Sequence, residues 1–337
     1  VAKTSLISQK VRSPAMVLPV ELLVLLGIFL ISLLLGAKEI PISTVYEAFF
    51  AYDGSEAHLI VTTVRLPRSL VAMLVGSSLA VAGAIMQSIT RNPLASPVIL
   101  GVNAGAALAV VLSASVWGFS SLSTYIWLAL LGAAVTAIAV YTFSSFGQGG
   151  ATYFNITIAG AAMAALMSSL TTAVLVLNQR TLDEIRFWLV GSTAGRDFDL
   201  IVQVLPYLSV GLVLALALRR QLTTLSLGTE IAQGLGQKTV WIQMAAATSV
   251  VLLAGGSVAI AGPIGFIGLI VPHLTRFLVG WDYRKIVPHA ALLGAILLLL
   301  SDIVARVAVR PQELPVGLVT PLVGAPFFIY LVRAKLR

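Results

Sequence analysis

Arg65 and Arg68 stand three residues apart in RLPRS, and Arg306 follows Asp302 by four in DIVAR. On a helix either spacing puts both side chains on one face. A guanidinium fork can grip a carboxylate through paired N–H donors, so Arg65 and Arg68 suit a carboxylate presented by a docking protein. From spacing alone, snorkelling to a membrane boundary is the preferred reading of the pair. Asp302 is placed to neutralise Arg306, a structural role that stands beside any role in transport. Catalytic sets are otherwise lacking. The three histidines are read as lying in an outer loop (His58), after a proline in a membrane segment (His273) and at a helix start (His289). No HExxH or paired-acid spacing surrounds them, so neither a metal site nor a cofactor is expected. With no cysteine, thiolate chemistry and disulfides are excluded. No GxxxxGK[ST] run, nor any Gly-Lys pair, is present to cradle nucleotide phosphates.

The elements that must position these groups are membrane helices. A 337-residue chain that is 58% hydrophobic, 10% charged and +1.01 in mean hydropathy cannot coat a water-soluble globule. Continuous apolar runs near 16–36, 70–88, 94–114, 122–144, 155–177, 200–218, 239–261, 264–280, 288–309 and 317–332 predict ten spanning helices. Barrel strands would alternate, and these runs do not. The first run follows Lys3, Lys10 and Arg12 but lacks a small-x-small cleavage site, and is read as a retained helix. Placing the N-terminus inside gathers those three with Arg91, Arg219, Arg220, Lys238, Arg276, Arg284, Lys285 and the C-terminal basic residues on the inner side. Most acidic residues then lie outside, and both termini are expected in the cytoplasm. A net charge of +8 thus reflects topology and anionic lipid, not nucleic acid.

SLAVAGAI at 78–85 and SVAIAGPI at 257–264 stand 257 − 78 = 179 residues apart, each on the second helix of its half. Five helices per half make an inverted repeat, the plan of many transporters, with approximate halves 1–177 and 178–337 of a single domain. Chance likeness between small-residue helices would give the same match. RNPLASP reads as a break in the helix on the inner side, although each proline alone also fits a simple helix boundary. Trp117, Trp127, Trp188 and Trp281 are read as interfacial anchors, and Glu21 as interfacial. In the inner segment 219–238, LSLGTEIAQGLGQ combines a helix start at Thr229, an amphipathic turn and glycine stops at Gly234 and Gly236. A short cytoplasmic helix and an ordinary surface connection both fit.

RLPRSLVAMLVGSSLAVAGAIMQSITRNPLASPVILGVNAGA (65–106), LDEIRFWLVGS (182–192), GPIGFIGLIVPHLTR (262–276) and DIVARVAVRPQELPVGLVTPLVGAPFFIYLV (302–332) together resemble the permease subunits of ABC importers for iron-siderophores, haem and vitamin B12. The resemblance covers nearly the whole chain. It implies a ten-helix all-α fold in two inverted repeats, a second permease subunit (same chain or paralogue), separate ATPase subunits and an extracytoplasmic substrate-binding protein. Carried over residue by residue, it implies that Arg65, Arg68 and Arg306 receive acidic residues of the binding protein. It also implies that Leu227, Gly228, Glu230, Ala232, Leu235 and Gly236 form the segment that couples to the ATPase. The stretch TLDEIRFWLVGSTAGRD is closer to ferric-siderophore permeases than to B12 permeases, with haem or B12 as alternatives. Alternating access in a cell inner membrane is the implied mechanism. A secondary carrier driven by an ion gradient is the competing class, but it should place ionisable ligands at mid-membrane, where this chain has little beyond Asp302 and Arg306.

Overall fold

Long runs of Leu, Ile, Val and Ala with no polar stripe form helices whose surroundings are apolar on every side. The computed structural model describes residues 14–335 except 37, 120 and 147–152, so Lys3, Lys10, Arg12 and Arg337 of the inner basic set lie outside the described residues. Among the described residues there are helices and no strands. The order is α1 (Pro14–Leu34), α2 (Ile42–Phe50), α3 (Glu56–Leu59), a π-helical turn (Ile60–Arg65), α4 (Leu66–Ile89), a 3-10 turn (Pro97–Leu100), α5 (Val102–Trp117), α6 (Leu122–Ser145) and α7 (Tyr153–Leu177). Then come α8 (Gln179–Val190), α9 (Phe198–Ser226), α10 (Thr229–Gly234), α11 (Thr239–Ala261), α12 (Ile267–Val279), α13 (Tyr283–Val307) and α14 (Val316–Lys335). Among the described residues, seven helices are long and apolar enough to cross a membrane, and three shorter apolar helices stand where the third, eighth and tenth spans are expected. The chain is an all-α, multi-pass membrane protein.

Three boundaries differ from expectation by eight residues or more; one is the end of the sixth span, which runs on to Ser226 rather than stopping near 218. The second span begins at Glu56, not near 70, because α3, the π turn and α4 run on as one rod of 34 residues. Its polar start is masked: the Thr62 and Thr63 hydroxyls donate to the carbonyls of His58 and Leu59 at 2.8 and 2.7 Å. The third span starts at Val102 because RNPLASP is not α-helical; Pro93 and Pro97 have no N–H to continue a helix. Trp188 is not an interfacial anchor. It is buried and tilts against Tyr125, while Trp117, Trp127 and Trp281 are exposed.

The rod of α4 lies at the centre and packs on α9, α11, α12 and α13. Two pairs of glycines set its closest approaches. A Cβ on Gly76 would lie 2.2 Å from the Gly294 carbonyl oxygen of α13, and one on Gly83 would lie 1.9 Å from the Gly268 oxygen of α12. Backbone meets backbone there, the close contact that small residues permit between membrane helices. Much of the packing recurs between the two halves, although among the described residues the contacts of α9 with α4 and α13 have no comparable counterpart at α1. The pairs α1/α4, α5/α6, α5/α7, α6/α7 and α4/α12 recur as α9/α11, α12/α13, α12/α14, α13/α14 and α11/α5. The pairs α4/α13 and α1/α13 recur likewise as α11/α6 and α9/α6.

Candidate functional site

Polar side chains gather at both ends of α4. At the α8 end, the π turn finishes at Arg65 just before Pro67, which cannot donate to the preceding turn, so the ladder widens there. Arg65 is buried and caps α1: its Nη1 donates to the carbonyls of Leu33 and Leu34, both at 2.7 Å, and its Nη2 to that of Lys38. Those of Leu33 and Leu34 are terminal carbonyls that a helix leaves without internal partners, and that of Lys38 lies just past the helix. Arg68 turns to α13 and to the segment before α14, donating from Nε to Asp302 at 2.9 Å and from Nη1 to Glu313. Asp302 is fully buried and also accepts from the Thr193 hydroxyl at 2.6 Å and from Arg306. Arg306 is only 2% exposed and reaches the Ser32 carbonyl of α1 at 2.9 Å. The Ser32 and Ser69 hydroxyls close the group at 2.5 Å.

Thus the expected arginines do come together, but facing inward. The pairing of Asp302 with Arg306 anticipated from their spacing is present. The partners that sequence reasoning missed are Glu313, Thr193, Ser32 and Ser69. Arg68 meets Asp302 and Glu313 across 234 and 245 residues of chain, a separation no local pattern reports.

At the other end of α4, Gln87 donates from Nε2 to the carbonyls of Gly268 and Leu269 at 3.4 and 3.3 Å and accepts from Arg276 of α12. Arg276 also lies over the Trp281 ring, 5.0 Å from its centroid. Ser88 donates to the Leu222 carbonyl of α9 at 2.9 Å. Asp282 caps α13 through the Arg284 N–H at 3.0 Å and accepts from the Thr223 hydroxyl of α9 at 3.1 Å. Burial pushes the Asp282 carboxyl up, but the hydrogen bonds from Arg284 and Thr223 outweigh it and hold the group below its ordinary value. A cavity of about 600 Å³ opens here, lined by Gln87, Arg91, Leu227, Arg276 and Asp282.

The short helix expected at Thr229 is α10, beside this cavity. Gly228 precedes it at φ 132°, a conformation only glycine adopts freely. Ala232 is fully buried against α9, whereas Leu227, Ile231 and Leu235 are 64%, 51% and 69% exposed at a four-residue spacing. Glu230 and Gly236 are exposed as well.

The chain belongs to the FecCD transport family. That family matches residues 23–334. The chain is 46% identical over 328 residues to the Probable siderophore transport system permease protein YfiZ of Bacillus subtilis (strain 168), covering 97% of this chain and 98% of the relative. It is 43% identical over 324 residues to the ferric enterobactin transport system permease protein FepD of Escherichia coli (strain K12), covering 96% of each. A solved metal-chelate type ABC transporter in an inward-facing conformation superposes with a TM-score of 0.84 at 31% identity, over 95% of this chain and 99% of that one. As a FecCD permease the chain is a transport subunit.

Two histidines occupy other places than the sequence reading gave them. His58 is buried within α3 and meets Asp53 at 2.7 Å, so it is not a loop residue. His289 lies inside α13, where its Nδ1 meets Glu21 of α1 at 2.6 Å. Glu21 is therefore buried and paired, not interfacial.

Proposed function

We propose that this permease forms the translocation path of an ABC importer for ferric siderophores, together with a second copy or a paralogue. Separate ATPases power it from the cytoplasmic side, and an extracytoplasmic binding protein delivers the chelate. The observation that carries the coupling to ATP is the exposed apolar group Leu227, Ile231 and Leu235, one residue on α10 and one just beyond each of its ends, while Ala232 of α10 is anchored in the bundle. Such a group beside polar rims marks a surface that another protein covers. With Gly228, Glu230, Ala232 and Gly236 it forms the coupling segment. The siderophore assignment draws on what the most similar relatives are named for.

The path itself runs along α7. Only 6% of its membrane window is buried within the chain, and among larger apolar residues such as Ile158, Leu166 and Leu170 it turns Ala161, Ala165, Ser168, Ser169 and Thr172 outward. Small and hydroxyl side chains suit a subunit interface or a wet path better than lipid. The recurrent packing of the two halves favours an inverted repeat divided near 177/178 within one domain, with both termini cytoplasmic and the α8 end outside. The binding protein docks on that outer end, where Arg65, Arg68 and Arg306 lie.

The test is uptake of radiolabelled ferric siderophore into proteoliposomes, with ATP, ATPase subunit and binding protein omitted in turn. Uptake should need all three and persist when proton and sodium gradients are collapsed. Uptake by the permease alone on an ion gradient would refute the importer reading in favour of a secondary carrier.

A further inference from the structure

We infer that Glu313 is a built-in stand-in for the docking partner's carboxylate: it holds Arg68 in the undocked permease and exchanges with an acidic side chain of the binding protein. This rests on the docking proposed above and adds the group that must leave. The cluster at the α8 end contains three guanidinium groups, Arg65, Arg68 and Arg306, and two carboxylates, Asp302 and Glu313. Their sum is 3 − 2 = +1.

The two carboxylates are not equivalent. Asp302 is 0% exposed and is held by Arg68, Arg306 and Thr193, so removing it would strand buried charge. Glu313 makes one ion pair, with Arg68, and its side chain is 34% exposed on the wall of a cavity of about 360 Å³ that opens beside α8. Arg65 and Arg306 are turned inward, Arg65 onto backbone carbonyls at and just past the end of α1 and Arg306 onto Asp302 and the Ser32 carbonyl, so neither has an exposed carboxylate partner to give up. Only the Arg68 to Glu313 bond can be broken from outside. Once it breaks, the buried site carries +2, and an acidic side chain is the group that restores it. An acidic side chain of the partner therefore competes with Glu313 for the same Nη1 donor.

The competition gives a sign that simple docking does not. Removing Glu313 should tighten binding, because the internal competitor has gone while Arg68 stays paired to Asp302. Binding of the purified binding protein is measured by surface plasmon resonance on the assembled importer in nanodiscs, with folding checked by size-exclusion chromatography. Glu313→Gln, with Glu313→Ala as a second variant, should bind about tenfold tighter. Glu184→Gln is the control for general loss of negative charge, since Glu184 lines the same cavity at 36% side-chain exposure but pairs with Arg180. It should stay within about twofold, as expected of an exposed pair. In an Arg68→Gln background the gain from Glu313→Gln should vanish, the mark of direct coupling. Equal tightening by both glutamines, or none by Glu313→Gln while Arg68→Gln weakens binding, overturns the exchange and leaves docking standing. Unchanged binding by Arg68→Gln alone overturns docking and the exchange with it.

Discussion

Gly83→Ala tests whether α4 and α12 are in backbone contact. The added methyl would lie 1.9 Å from the Gly268 oxygen and 2.5 Å from its carbonyl carbon and Cα. Ordinary contact begins at 3.4 Å, so the helices must separate by about 3.4 − 1.9 = 1.5 Å along that line. No flexible side chain is available to yield. Forcing that gap belongs at the upper end of overpacking costs, about 3 kcal/mol. Alanine recovers about 1 kcal/mol of helix propensity, which leaves a net loss of about 2 kcal/mol. Gly255→Ala on α11 is the matched control: its methyl would meet only the Ala133 and Leu130 side chains, at 3.2 and 3.6 Å. There the propensity term dominates and stability should hold or rise. Thermal melting of both variants in nanodiscs, followed by tryptophan fluorescence, should move them in opposite directions. If Gly83→Ala melts at or above the wild-type temperature, the close approach described here is wrong.

Asp302→Asn should be among the most damaging single changes, costing about 3 to 5 kcal/mol by leaving two buried guanidinium groups without their shared anion; thermal melting and detergent-extracted yield report it. Glu21→Ala strands His289 in the bundle and should cost about 1 to 3 kcal/mol in the same melting assay, with Glu21→Gln milder because the amide still offers a hydrogen-bond partner. Gly228→Ala forces φ 132° on a side chain, and Glu230→Arg reverses an exposed charge on α10. Each should lower substrate taken up per ATP hydrolysed by about tenfold; Glu230→Arg should leave the melting temperature near wild type, whereas Gly228→Ala also carries about 1 to 3 kcal/mol of backbone strain. Wild-type stoichiometry in both would remove α10 from the coupling role.

Hydropathy made the ten spans legible because a bilayer demands apolar length, and the spacing of Asp302 and Arg306 is a local helical signal. α10 was legible for a similar reason, since Gly228, Gly234 and Gly236 punctuate it in sequence. The rod before residue 66 was not, because Thr62 and Thr63 look polar until their hydroxyls are returned to the backbone. α2 and α8 escaped as well, being shorter than a span and amphipathic. Glu21 looked interfacial because its partner His289 is 268 residues away. Likewise Arg65 and Arg68 read as solvent-facing hooks, since nothing near them in the chain announces the carbonyls, Asp302 and Glu313 that turn them inward.

Because α4 touches α13 at Gly76 and α12 at Gly83 with no side chain between, and α12 packs on α13, these three helices have no compressible layer along which to slide. Arg68 and Gln87 stand 87 − 68 = 19 residues apart on the rod from Glu56 to Ile89, about 29 Å, so α4 carries the Arg68 cluster at one end and the Gln87 cluster at the other. Both clusters therefore ride on one stiff body. When such a body tilts about its middle, its two ends swing in opposite directions, so a displacement at the Gln87 end is felt with the opposite sense at the Arg68 end. The missing methyl groups of Gly76 and Gly83 are thus what joins three helices into one lever between the two polar ends.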